Sequence, residues 1–233
     1  MSATTSTPVR VKPAAGLRLT PAEVVLTRRL LNEMWKVVRW FWPVALTLTF
    51  GTGLTIAAFT PVTQSFWENA AQWPRWWLFA MGVALTATQL PMAVLHGVTR
   101  RAVIRSLLVS AALISMIWAL FMVLGHVIEQ FLFDRMDWQY ALETPHLFHD
   151  GYDVLPIFVE FTLIFLGYQL SGALIGGLYY RFGAWRGTLL IPVGLLPAAA
   201  MEALLSTGWF GAGLQDGLSV DRPSAIVLTL RER

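Results

Sequence analysis

"VLHGVTRRAVIRSLL", residues 94–108, breaks a long apolar stretch with His96, Gly97, Thr99, Arg100, Arg101 and Arg105, and with no acid. Gly97 can take the left-handed conformation that stops a helix. Thr99 can accept a hydrogen bond at the start of the next one. The stretch therefore reads as a short turn between two helices. About 20 apolar residues are needed to cross a bilayer, and the flanks, residues 76–95 and 102–127, are long enough. Working outward, residues 41–59, 154–180 and 188–205 are further candidate spans.

Composition agrees. The chain has 233 residues, 56% hydrophobic and 13% charged, against about 25% charged in an average soluble domain. A soluble fold of this size has too little interior for so much apolar surface. The expected fold is an all-α, polytopic membrane helix bundle of five to six transmembrane helices, preceded by an amphipathic interfacial helix. A net charge of +3 without a basic soluble face gives no reason to expect nucleic-acid binding. Cysteine is absent, which excludes disulfides, thiolate metal sites and a Cys nucleophile. Residues 1–19 are polar, have no signal-peptide core, and read as a disordered cytoplasmic tail. Residues 208–233 read as a C-terminal tail. Its apolar run of about seven residues, in "SAIVLTLRER", is too short to span; it suits the stump of a sixth helix or an interfacial segment.

Cytoplasmic segments of membrane proteins are enriched in Lys and Arg. With the N-terminus inside, twelve of the 17 Lys and Arg fall on inner segments: seven before residue 40, then Arg100, Arg101, Arg105, Arg181 and Arg186. The loop at 131–153 holds five acids against Arg135 and suits an external face. Tryptophans cluster at both expected interfaces, with only Trp118 in mid-span, as in an aromatic belt.

Before the first span, Thr20-Pro21-Ala22-Glu23 has the pattern of a capping box with proline at the first helical position. Val24, Val25, Leu30, Leu31, Met34, Val37 and Val38 fall largely on one face and Arg28, Arg29, Asn32, Lys36 and Arg39 on the other. Residues 20–39 are therefore expected to lie along the membrane surface and to turn into the first span at Pro43. In the turn itself, Val98, Ala102 and Val103 are expected to present a small apolar knob between basic edges.

This amphipathic helix and the "GVTRR" turn, with "GHVIEQ" at residues 125–130 and "GALIGGLYYRFGAWRGTLL" at 172–190, together resemble the permease subunit of small bacterial ATP-binding-cassette (ABC) exporters of the type 2 class. The resemblance covers about residues 20–207. It implies a connecting helix at 20–39, and a coupling turn at His96, Gly97, Val98, Thr99, Arg100 and Arg101 that docks onto a separate cytoplasmic ATPase. It also implies a second permease copy or homologue, a bacterial cytoplasmic membrane, and hydrophobic or amphipathic cargo. The family usually has six spans, one more than is evident here. The chain carries no phosphate-loop motif. It is thus read as a non-catalytic subunit without cofactors, with ATP and Mg bound by the partner.

Ionisable groups inside a bilayer are costly and point to function. Glu160 and Glu202, with Gln89, are candidates for a substrate path; pairing with neighbours such as Tyr168 or Gln169 is the structural alternative. An ion-coupled carrier using Glu160 and Glu202 is one competing function. A membrane-embedded enzyme is another, although no His-Glu-x-x-His or Gly-x-Ser-x-Gly motif occurs. His126 and Glu129 share a helix face, and His146 and His149 share a loop; two ligands do not hold a metal, and none is expected. Gly167, Gly172 and Gly176 are candidates for close helix packing. Pro192 and Pro197 predict a kinked fifth span.

Overall fold

The computed structural model describes residues 19–60, 62, 64–138, 140–142 and 146–205. The two expected tails lie outside these residues apart from Leu19. The described chain is all-α: α1 (Pro21–Ala57), α2 (Phe66–Ala70), α3 (Gln72–Leu95), α4 (Arg100–Met136), α5 (Val154–Leu189), α6 (Ile191–Gly194) and α7 (Leu196–Leu205). Four helical stretches are long and apolar enough to cross a membrane: Pro21–Ala57, Phe66–Leu95, Arg100–Met136 and Val154–Leu189. The chain is a multi-pass membrane protein by this measure.

The first helix does not turn at Pro43. The expected connecting helix and first span are one helix of 37 residues, about 55 Å long against a hydrocarbon layer of about 30 Å. Its buried positions, Glu23, Thr27, Leu30, Met34, Val38, Trp42 and Ala45, recur every three or four residues straight past Pro43. Pro43 is on the exposed side, so its ring interrupts one backbone bond and leaves the buried stripe intact. That stripe packs on α4, where Trp42 stacks on Phe121 at 4.9 Å and meets Trp118 at 5.3 Å. Val24 and Val25 lie outside this stripe and are exposed.

α3 and α5 run parallel and approach at backbone distance. A Cβ built on Gly172 would lie 2.0 Å from the Phe79 carbonyl oxygen; one on Gly176, 2.8 Å from that of Val83; one on Gly82, 2.3 Å from that of Gln169. Gly167 meets the other neighbour of α5, since a Cβ there would lie 2.8 Å from the Met201 side chain of α7. The core between α1, α3, α4 and α5 is built from residues such as Leu78, Ile114, Met122, Phe161 and Phe165.

The expected fifth span is not one helix. Gly183 leaves helical geometry at φ 75°, and the chain reverses there. It returns along α5 in pieces: Gly194 abuts Ile175, and the Ala198 N–H donates to Ser171 Oγ at 2.9 Å. Pro192 and Pro197 lack the N–H groups that a continuous helix needs. The Ser171 hydroxyl serves a backbone group in the returning segment. Only Leu196–Leu205 remains as an apolar helix of intermediate length.

Candidate functional site

At one end of the bundle the turn is built by two local devices. The Val98 N–H reaches the Ala93 carbonyl and the Gly97 N–H reaches that of Val94, the paired bonds of a Schellman stop, with Gly97 at φ 77°. Thr99 then caps α4, its Oγ1 accepting from the Ala102 N–H at 3.3 Å. His96, Gly97, Thr99, Arg100 and Arg101 are exposed. The turn has no helix of its own. Nor does it present the expected apolar knob: Val103 is fully buried, and Val98 and Ala102 are half-buried. What it offers is polar and cationic. Neither Arg100 nor Arg101 forms an ion pair with a described residue, whereas Arg105 lies 3.8 Å from buried Glu23. The capping box of α1 forms, with the Thr20 N–H donating to Glu23 at 2.7 Å and the Glu23 N–H to Thr20 Oγ1 at 3.4 Å. Ser106 donates to the Glu23 carbonyl at 3.2 Å. The start of α1 is thereby fixed beside the turn. Arg28, Arg29, Arg181 and Arg186 are exposed, and helix direction places them toward the same basic end, whereas exposed Arg39 lies about 27 Å along α1 from Pro21.

The far end is the opposite in character, with buried ionisable groups in three sets. Glu129 of α4 receives the N-terminus of α2, accepting from Ser65 Oγ at 2.5 Å, the Phe66 N–H at 2.6 Å and the Trp67 N–H at 2.9 Å. Negative charge at a helix start is favourable because the N–H groups there lack helical partners. Glu160, fully buried, accepts from His146 Nδ1 at 2.6 Å and from the Leu147 N–H at 2.8 Å; His146 Nε2 lies 3.3 Å from Glu68. Glu202 accepts from the Tyr168 hydroxyl at 2.5 Å, with Arg75 Nη1 at 3.7 Å.

His126 and Glu129 do not act together. His126 Nδ1 is 3.0 Å from the Tyr140 hydroxyl and its ring stacks on Phe161, while Glu129 faces α2. Burial, then the Glu129 carboxylate, pushes the Tyr140 phenol pKa up, so the hydroxyl stays neutral. His146 and His149 also separate: the His146 side chain is 2% exposed, while His149 is exposed. No group of three or more His, Asp or Glu suited to a metal occurs among the described residues.

Glu160 and Glu202 belong to separate hydrogen-bonded sets, and Gln89 lies on α3 about 21 Å along the helix from Arg75. The loop at 131–153 begins as the end of α4 and keeps Asp134, Asp137 and Asp150 exposed, while its later part turns inward, burying Phe148.

Two residues of these sets, Arg75 and Glu68, escape a reading of the sequence. Arg75 reads as an interfacial charge, yet it is 4% exposed beside Glu202, 127 positions away. Glu68 and α2 carry a local signal in Ser65-x-x-Glu68, the N-terminal half of a capping box; the Glu68 N–H does donate to Ser65 Oγ at 3.1 Å. Tyr168 is one of the partners considered for the buried acids, and it pairs with Glu202. Neither known protein families, curated proteins nor solved structures give a match to this chain.

Proposed function

We propose that this chain is the membrane subunit of an ABC-type exporter, docking through His96–Arg101 onto a soluble cytoplasmic ATPase. The supporting observation is the form of the basic turn. It is exposed, cationic, with Arg100 and Arg101 in no ion pair with a described residue, and held at both ends by a helix stop and a cap. A rigid cationic tip seats on an acidic partner without first having to be ordered, which lowers the entropy cost of association. The buried Glu23–Ser106–Arg105 contacts tie the start of α1 to the same place. Load applied to the turn is thus passed to α1 as well as to α3 and α4.

On this reading the basic end is cytoplasmic, the membrane is the bacterial cytoplasmic membrane, and a second permease copy completes the transporter. ATP and Mg belong to the partner. The ion-coupled carrier is less well supported, because Glu160 and Glu202 are each held in a separate local set. The test is affinity purification of the full chain from membranes of its own host. A co-purifying ATPase with a phosphate-loop motif is expected, and Arg101→Glu should release it while leaving the chain folded. Wild-type material that brings down no such ATPase would sink the proposal.

A further inference from the structure

Residues 146–151 close over the far end of the bundle with the density of a core. Phe148 is 1% exposed, with its ring 4.7 Å from His146, 4.9 Å from His126 and 6.3 Å from Phe161. A Cβ on Gly151 would lie 2.7 Å from Gln130 Cβ and 2.8 Å from the His126 carbonyl oxygen, so the backbone lies directly on α4. Two attachments are polar and deep. The Leu147 N–H is bound by Glu160, and the His146 ring lies between Glu160 of α5 and Glu68 of α2.

We propose that residues 146–151 are a proton-operated lid on the far end of the bundle, locked by His146 between Glu68 and Glu160. The lock is independent of the transporter reading. It joins three separate elements through one titratable ring. When the ring is protonated, each nitrogen donates to a carboxylate; when it is neutral, one nitrogen has no proton to give and the hydrogen bond from the ring to that carboxylate is lost. Among the described residues, the other ionisable groups near the ring are His126 and Glu129 on α4 and Tyr140 ahead of the lid. Asp150 and Asp153 are turned to the outside, where Asp153 accepts from the His149 and Asp150 N–H groups.

The sign follows from the two states of the lid. In the closed state burial disfavours the charged ring, but the hydrogen bonds to Glu160 and Glu68 outweigh it and His146 is pushed up to about 9 from 6.5. An open lid returns the ring to water and to about 6.5. Opening therefore releases a proton between about pH 6.5 and pH 9. Over that window the opening equilibrium should rise about tenfold per pH unit. The lock is complete below pH 6.5 and lost as pH rises through 9.

Hydrogen exchange on the full chain in nanodiscs reads this directly. After correction for the chemical exchange rate, the amides of 146–151 should exchange about 40-fold faster at pH 8.5 than at pH 6.5, while core amides of α4 and α5 keep their protection. His146→Gln, which cannot take a proton, should abolish the slope. Glu68→Gln, which removes one of the two carboxylates, should move the window to lower pH. Corrected exchange that stays flat in the wild-type chain overturns the proposal without recourse to any variant, as does a slope that survives in His146→Gln.

Discussion

Gly172→Ala separates two opposed effects that the structure allows to be sized. In an isolated helix, alanine is favoured over glycine by about 1 kcal/mol. At Gly172, however, the new methyl would lie 2.0 Å from the Phe79 carbonyl oxygen, 2.9 Å from its carbon and 3.0 Å from the Val83 nitrogen. Ordinary contact starts near 3.4 Å, so α3 must retreat by roughly 1.4 Å, and the obstructing atoms are backbone that cannot swing aside. Overpacking of a close interface typically costs about 1–3 kcal/mol. Here it also loosens the fit of Gly82 against the Gln169 carbonyl and of Gly176 against Val83. Set against the propensity gain, a net destabilisation of about 0–2 kcal/mol is expected, or about 1–3 kcal/mol relative to a helical glycine replaced without a clash. Gly51→Ala is the internal control, since nothing lies within 4 Å of a Cβ at Gly51; it should be neutral or stabilising by up to about 1 kcal/mol. The assay is equilibrium unfolding in detergent, followed by intrinsic tryptophan fluorescence. If Gly172→Ala is as stable as Gly51→Ala, the parallel α3–α5 contact is not built as described.

Other substitutions test the buried polar sets. Arg75→Met should cost about 3–5 kcal/mol by removing the buried cation beside Glu202, and the double variant with Glu202→Met should recover much of it; equal losses in the single and double variants would contradict the pairing. Glu129→Ala leaves the Ser65 hydroxyl and two N–H groups of α2 without their acceptor, so a loss of about 3 kcal/mol or more is expected, seen as early exposure of residues 65–70 to exchange. Arg101→Glu should leave unfolding unchanged within about 0.5 kcal/mol, as for an exposed site free of such features. A large shift would mean that the turn is part of the core rather than a docking tip.

Local devices in this chain are readable because they act over three or four residues. Thr20 with Glu23, and Gly97 with Thr99, each announce a helix boundary through the chemistry of one turn. Gly172 and Gly176 announce a close approach by their spacing alone, although not the identity of the helix approached. What the sequence hides depends on partners far along the chain. Pro43 reads as a stop because its effect on one backbone bond is visible, while the buried stripe on α4 that carries α1 past it is not. Arg75 and Glu202 read as an interfacial cation and a lone membrane acid until α7 folds back along α5. The loop before α5 reads as external by charge count, and its exposed acids give no sign that the Phe148 and His146 side chains between them are buried. The basic turn is a mixed case. Its caps are legible, but the knob expected from Val98, Ala102 and Val103 is covered, and Val103 completely so.

The claim that most needs a direct test is the contact between the turn and an ATPase. A photo-crosslinking amino acid placed at Arg100, in the full chain and in intact host cells, samples that exposed tip without disturbing the Schellman stop or the Thr99 cap. Irradiation should yield a covalent product with a soluble phosphate-loop ATPase, and the same group placed at Tyr152, exposed at the far end, should not. Crosslinks from position 100 only to lipid or to extracytoplasmic proteins, or the ATPase product from position 152 instead, would contradict both the docking role and the orientation.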